Sequence, residues 1–176
     1  MSGDPFASLH GGATLSVSSS SFTDGSTLPL EQCSGRMGVH GGRDISPQLS
    51  WSGAPQGTLS YAISVHDPDA PGAGGFWHWA AVDIPASVTS LSSGAGAEDG
   101  ASLPSGAKQL KNDGDSVGYL GAAPPRGHGL HHYIVRVHAL DVEHLNLPSG
   151  AHANKLPQAL KGHVLATGRV TGTFSR

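Results

Sequence analysis

The sequence is short of charge, of cysteine and of long apolar runs, and each shortage excludes something. Of 176 residues only 13% are charged, with Lys plus Arg at 10, Asp plus Glu at 13 and a formal net charge of −3. Nucleic-acid binding needs a concentrated positive surface, and no Lys/Arg cluster is present, so that class is set aside. The single cysteine, Cys33, excludes an intrachain disulfide and fits a reducing compartment. No apolar run approaches the roughly 20 residues that span a bilayer. Residues 1–12 carry neither a basic segment nor an apolar one, so no signal peptide is expected and the chain reads as soluble and cytoplasmic.

Glycine (26), proline (12) and histidine (11) are abundant. Glycine and proline without pattern imply disorder. Here they alternate with clean apolar runs, which predicts a mostly β chain of short strands joined by many turns. The length suits one domain with a real core. The boundaries expected are a flexible N-terminal arm over residues 1–12 and a single domain over residues 13–176. The histidines make the net charge sensitive to pH between about 5 and 7.

Short strands are predicted at Leu15-Ser16-Val17 and Leu49-Ser50-Trp51. A stronger one places Tyr61, Ile63, Val65 and Asp67 on one face, which sets a carboxylate at the end of an apolar row. Strict alternation in the next strand puts Phe76, His78, Ala80 and Val82 on one face, and Trp77, Trp79, Ala81 and Asp83 on the other. Residues 86–118 read as one long excursion rich in Gly, Ser and Ala. Tyr133, Val135, Val137 and Ala139 share a face, joined by His131 if the strand starts early. Leu156, Leu160 and Val164 have helical spacing, with Asn154 as N-cap and Pro157 in the first turn. A last strand is predicted over residues 169–174.

Three pieces carry chemistry: Asp67-Pro68-Asp69-Ala70-Pro71, Phe76-Trp77-His78-Trp79, and the run from Gly121 through Pro124-Pro125-Arg126-Gly127-His128 to His131-His132-Tyr133. Each joins a strand to a Pro- or Gly-rich loop, where prolines stiffen the chain and glycines allow close backbone approach. Imidazoles, a phenol and loop N–H groups can hold a phosphate-like anion. The aspartates repel one, so the expectation is tighter binding at mildly acidic pH, where His78 or His131 is charged.

Taken singly, each piece has a plainer reading. Asp-Pro segments form ordinary turns. His78 between two tryptophans suits a satisfied core histidine, and Trp51, Trp77 and Trp79 suit the core.

Together the motifs resemble the phosphatidylethanolamine-binding / Raf kinase inhibitor-like family, especially its bacterial branch. The resemblance is carried by residues 67–71, His78-Trp79, residues 121–133, residues 46–55 and the C-terminal runs 161–166 and 172–176. It implies a Greek-key-like β-sandwich with a few short peripheral helices, one of them near the C-terminus. It also implies a non-enzymatic pocket for phosphate-type anions, such as a phospholipid head group, a nucleotide or a phosphorylated side chain. The implied pocket residues are Asp67, Asp69, His78, Pro124, His131 and Tyr133, helped by backbone N–H groups near Gly121 and Ala123. A cis Ala70–Pro71 bond, homodimers, weak lipid head-group contact and a kinase or protease partner regulated by binding come with the same resemblance; no cofactor does. His132 stands where the family usually has Arg, and Ala122-Ala123 replaces a common Pro-Cys.

Two rival functions remain open on the sequence. One is a metal-dependent hydrolase using His128, His131, His132, Asp67, Asp69 and His78, although neighbouring His131 and His132 point to opposite faces of a strand. The other is a surface protein-interaction module. No nucleophile elbow and no phosphate-binding loop of the G-x-x-x-x-G-K-[ST] type is present.

Overall fold

The computed structural model describes residues 3–9, 12–148 and 150–176. The strands are β1 (Ala13–Thr14), β2 (Ser16–Ser18), β3 (Leu49–Ser52), β4 (Ser60–Asp67) and β5 (Phe76–Pro85). They are followed by β6 (Ser90–Leu91), β7 (Lys108–Gln109), β8 (His131–Leu140) and β9 (Val164–Phe174), with helix α1 (Leu156–Leu160) before the last. The larger sheet has the order β1-β9-β8-β4-β5-β7, and the smaller one β2-β3-β6. All pairings are antiparallel except β1 with β9. The mostly β expectation holds.

The core lies where the two sheets face one another. Leu49 and Trp51 of β3 and Leu91 of β6 meet the inward row of the large sheet, which includes Ile63, Trp79 and Val137. Ile63 and Trp79 are fully buried, and each large apolar side chain so placed contributes about 2 kcal/mol. The opposite face of the large sheet is covered as well. There Ala62, Trp77, Ala80 and Val82 pack beneath Phe6, Leu156 and Leu160. Every residue of β4 is therefore buried, and polar residues of its outer row, such as Ser64 and His66, are buried too.

The predicted inward row Tyr61, Ile63, Val65 and the row Tyr133 to Ala139 face the inter-sheet core as expected. The alternation predicted for β5 fails at two points, one where Tyr61 pairs with Ile84 but Ile63 with Ala81, and one at His78. His66 pairs with Trp77 and Val65 with Trp79, so His78 is an extra residue between them. This bulge turns the strand by one position. Trp77 packs on the outer side while Trp79 and Ala81 face the inter-sheet core. Trp77 therefore does not share a face with Trp79.

Three other expectations change. The C-terminal helix is a single turn of 3₁₀ (Ala153–Lys155) continued by α1, with Pro157 in its first turn as predicted. The cap is His152, whose Nδ1 accepts from Asn154 N, and not Asn154 itself. Gly162, at φ 81°, ends the turn, and Val164 opens β9 instead of continuing the helix. The expected loose arm is packed where it is described. Phe6 is buried against Trp77 and His138, and Asp4 Oδ1 accepts from Arg136 Nη2 at 3.1 Å. Residues 1, 2, 10 and 11 lie outside the described residues. Among the described residues no peptide bond is cis, so the Ala70–Pro71 bond is trans. The loop reverses instead through an Asx turn, Asp69 N to Asp67 Oδ1 at 2.8 Å, and through positive φ at Gly72, Gly74 and Gly75.

Candidate functional site

At one end of the large sheet, β4, β5 and β8 bring distant chain segments to one cavity of ≈ 200 Å³. Of the residues named from the sequence, Asp67, His78, Ala123, Pro124, His131 and Tyr133 line it. Asp67 ends β4, His78 sits on the β5 bulge, and His131 and Tyr133 open β8 on one face. Ala123 and Pro124 come from the loop before β8.

The cavity's polar groups are held by specific partners. Asp67 Oδ2 accepts from His131 Nδ1 at 2.6 Å, with both side chains buried. His131 Nε2 lies 2.6 Å from Nδ1 of His128. His78 is clamped in both directions by one residue: its Nδ1 donates to the Leu120 carbonyl at 2.7 Å, and its own carbonyl accepts from Leu120 N at 2.9 Å. The rings of Phe76 and Tyr133 lie 4.6 Å and 5.1 Å from that of His78. Burial holds the His78 imidazole down at about 4, against the partial support of its bond to Leu120.

That value corrects one expectation. His78 is neutral across pH 5–8 and does not supply positive charge to an anion. A carbonyl only accepts, so the proton is on Nδ1, and Nε2 is bare. His78 Nε2 has no hydrogen-bond partner among the described residues. Tyr133 makes no hydrogen bond through its hydroxyl among the described residues, and burial followed by the Asp67 charge keeps its phenol protonated. The cavity thus offers two acceptors, Asp67 and His78 Nε2, and one free hydroxyl donor.

Two predicted residues stand outside it. Asp69 turns to β8, where its Oδ2 accepts from His132 N and Nδ1, each at 2.8 Å. Desolvation opposes ionisation there, but the His132 hydrogen bonds outweigh it and hold the Asp69 carboxyl below its ordinary range. His132, in the position where arginine was expected, therefore pairs with Asp69 on an exposed flank. Gly121 N donates to Asp44 Oδ1 at 2.8 Å and is not free for a ligand. A side chain at Gly121 would overlap the backbone of Cys33 and Ser34, so this glycine serves close chain packing.

Sequence reading missed Met37, Ala70, Pro71, Phe76 and Pro125 as cavity walls. It also missed Arg176, whose Nε donates to the Pro124 carbonyl at 2.8 Å and fixes the loop from behind. Met37 lies in a glycine-rich stretch with no periodicity to expose it. Phe76 was visible as the neighbour of Trp77-His78.

Among the described residues no three His, Cys, Asp or Glu side chains are grouped to hold a metal ion. His128 and His131 are hydrogen-bonded to each other, and His132 faces away. No helix of the described residues is long and apolar enough to cross a membrane.

The profile of the family described as "Phosphatidylethanolamine-binding protein" matches residues 18–175. The UPF0098 protein YbcL of Escherichia coli is 40% identical over 162 residues, covering 92% of this chain and 88% of that protein. A UPF0098 protein of Aquifex aeolicus is 40% identical over 168 residues, covering 94% and 91%. The putative lipoprotein LppC of Mycobacterium tuberculosis is 34% identical over 161 residues, covering 91% and 72%. The crystal structure of Escherichia coli YbcL, described as a new member of the mammalian PEBP family, superposes with a TM-score of 0.89 at 39% identity, covering 93% of this chain and 99% of that one. On the profile match and these identities together, this chain belongs to the phosphatidylethanolamine-binding protein family.

Proposed function

We propose that the chain is a binding protein without catalytic activity of its own, and that its cavity takes a small phosphate-type group in the protonated, monoanionic form. The observation that carries this reading is the His78–Leu120 clamp, which leaves a bare Nε2 on a ring lining the cavity. A dianion meets the Asp67 carboxylate, and the neutral His78 supplies no charge to offset it. A monoanion carries a P–OH that donates to His78 Nε2 or to Asp67, while the Tyr133 hydroxyl donates to one of its other oxygens. The apolar walls from Phe76 and Pro124 exclude water and strengthen both bonds. The cavity suits a head group or a small phosphate, not a whole lipid. A cytoplasmic location, a homodimer and regulation of a partner by binding are further parts of this reading.

The experiment is titration of a simple phosphomonoester by calorimetry between pH 5 and 8. A phosphomonoester loses its second proton near pH 6, so affinity should fall by roughly tenfold or more from pH 5 to pH 7.5. His78 stays neutral over that range, so it adds no pH dependence of its own to the profile. A phosphodiester, which has no P–OH, should bind weakly at every pH. Tyr133→Phe should weaken the monoester by about tenfold with little change in Tm, because the hydroxyl has no protein partner to lose. Affinity that is flat or rises toward pH 8 would overturn the proposal.

A further inference from the structure

We propose that His128 is an intramolecular competitor for the ligand: it occupies the one nitrogen of His131 that Asp67 leaves open, and a phosphate-type group that bonds to that nitrogen must displace it. This inference rests on the reading of the cavity given above.

The partners of the two rings fix which nitrogens carry protons. A carboxylate only accepts, so the 2.6 Å contact between Asp67 Oδ2 and His131 Nδ1 places a proton on that nitrogen. His131 Nε2 is then the only ring atom available to anything else. It lies 2.6 Å from His128 Nδ1. With both imidazoles neutral, His128 Nδ1–H donates to a bare His131 Nε2. If the pair gains one proton, the bond survives with the proton on either side. While His128 stays in place, His131 offers nothing to the cavity it lines.

The two partners are held very differently. His131 is buried, starts β8 and pairs with Phe174 of β9. His128 is exposed and stands between Gly127 and Gly129, at φ 75° and 93°. A side chain added at either glycine would meet nothing within 4 Å, so the loop is unpacked on both sides of His128. The backbone of this loop is fixed by Gly127 N to the Arg176 carbonyl, His128 N to the Pro125 carbonyl and Arg176 Nε to the Pro124 carbonyl, whereas the exposed His128 side chain is held by its contact with His131. If the His–His contact breaks, His128 is the member that moves.

The vacated position suits the ligand chemistry. His131 Nε2, once released, is a second imidazole acceptor on the cavity wall besides His78 Nε2. A monoanionic phosphate has one P–OH, which at that atom replaces the His128 N–H in place of a bond to His78 Nε2 or Asp67. While His131 is neutral the competition therefore discriminates: a group with no hydrogen to donate cannot repay the lost bond. His128 acts on selection as well as on affinity.

The experiment compares the full chain with His128→Ala and His128→Gln, titrating the same phosphomonoester at pH 5.5. Removing one hydrogen-bonded competitor should tighten binding by about five- to tenfold in His128→Ala. Glutamine keeps an amide donor for His131 Nε2, so His128→Gln should stay near the parent. In ¹⁵N spectra of the ligand-free protein, the His131 Nε2 signal should move in His128→Ala and change little in His128→Gln. Affinity in His128→Ala equal to or weaker than the parent overturns the competition while leaving the cavity reading intact. Binding by none of the three proteins overturns the cavity reading and this inference with it.

Discussion

Asp67 and His131 are 64 residues apart in the chain and 2.6 Å apart in the fold, buried together at the end of adjacent strands. A second Asp–His pair, Asp69 with His132, lies two residues away at 2.8 Å, but its histidine side chain is 49% exposed. The same chemistry should therefore carry different weight. Removing a charge from a buried hydrogen-bonded pair leaves its partner unsatisfied, whereas an exposed pair is screened by water. Asp67→Asn should lower stability by about 2–3 kcal/mol in urea unfolding at pH 7. His132→Ala should cost about 0–1 kcal/mol. Equal effects from the two substitutions would mean the buried pair is not formed in solution.

What the sequence made legible was what period and motif carry. The period of two in β4 and β8 correctly put Asp67, His131 and Tyr133 on one face, and the motifs correctly grouped His78 with them. Alternation could not reveal the bulge at His78, because an extra residue in a strand is decided by how the neighbouring strand pairs. Nor could it place Asp69 and Gly121, which lie inside the right motifs but face away from the cavity. Their partners, His132 and Asp44, are fixed only once the loops fold against each other. The helix was overextended to Val164 because apolar spacing continues past Gly162, whose positive φ ends it.

Gly121 gives a test of that loop packing. A methyl group there would overlap the carbonyl carbon and oxygen of Cys33 and the amide of Ser34. These are backbone atoms, which cannot swing aside as a long side chain would. They also belong to the bridge in which Ser34 N donates to the Ala122 carbonyl at 2.8 Å. Gly121→Ala should destabilise the protein by about 2–4 kcal/mol and move the neighbouring cavity wall. Gly127→Ala, at an unpacked position, meets no such overlap; its cost is limited to about 1 kcal/mol of left-handed backbone strain. Chemical denaturation of both variants distinguishes the mechanisms, and similar losses would contradict the packing argument.

Cys33 is adjacent to the same bridge and is fully buried. Burial first, and the Asp44 charge second, push its thiol up to about 12. Only the thiolate reacts readily, and there is almost none of it at pH 8. In the native state Cys33 should resist a disulfide reagent such as Ellman's at pH 8, reacting at least a hundredfold more slowly than in urea. Labelling at similar rates in both conditions would show that this part of the core opens far more often than its packing implies.

Acid should unfold this protein through its buried imidazoles before its carboxylates protonate. Burial holds His78 down at about 4 and His138 at about 3, and it lowers His66 as well. In the unfolded chain each titrates near 6.5. Above that pH the rings are neutral in both states, and their full stability is present. Between 6.5 and the folded value the unfolded chain takes up protons that the folded one refuses. Stability is therefore lost as pH falls from about 6.5 to about 4 for His78, and on to about 3 for His138. Each contributes on the order of a few kcal/mol across its window. Asp44 and Asp69, both held below 3.8, give up their stability only as pH falls below that value. Tm should be level from pH 8 to 7 and decline steadily from 6.5 to 4. His138→Asn removes one titrating ring, and its decline over that interval should be shallower. A parent Tm that stays level down to pH 4 would mean these rings are hydrated in the folded protein, and the packing of the large sheet's outer face would need to be redrawn.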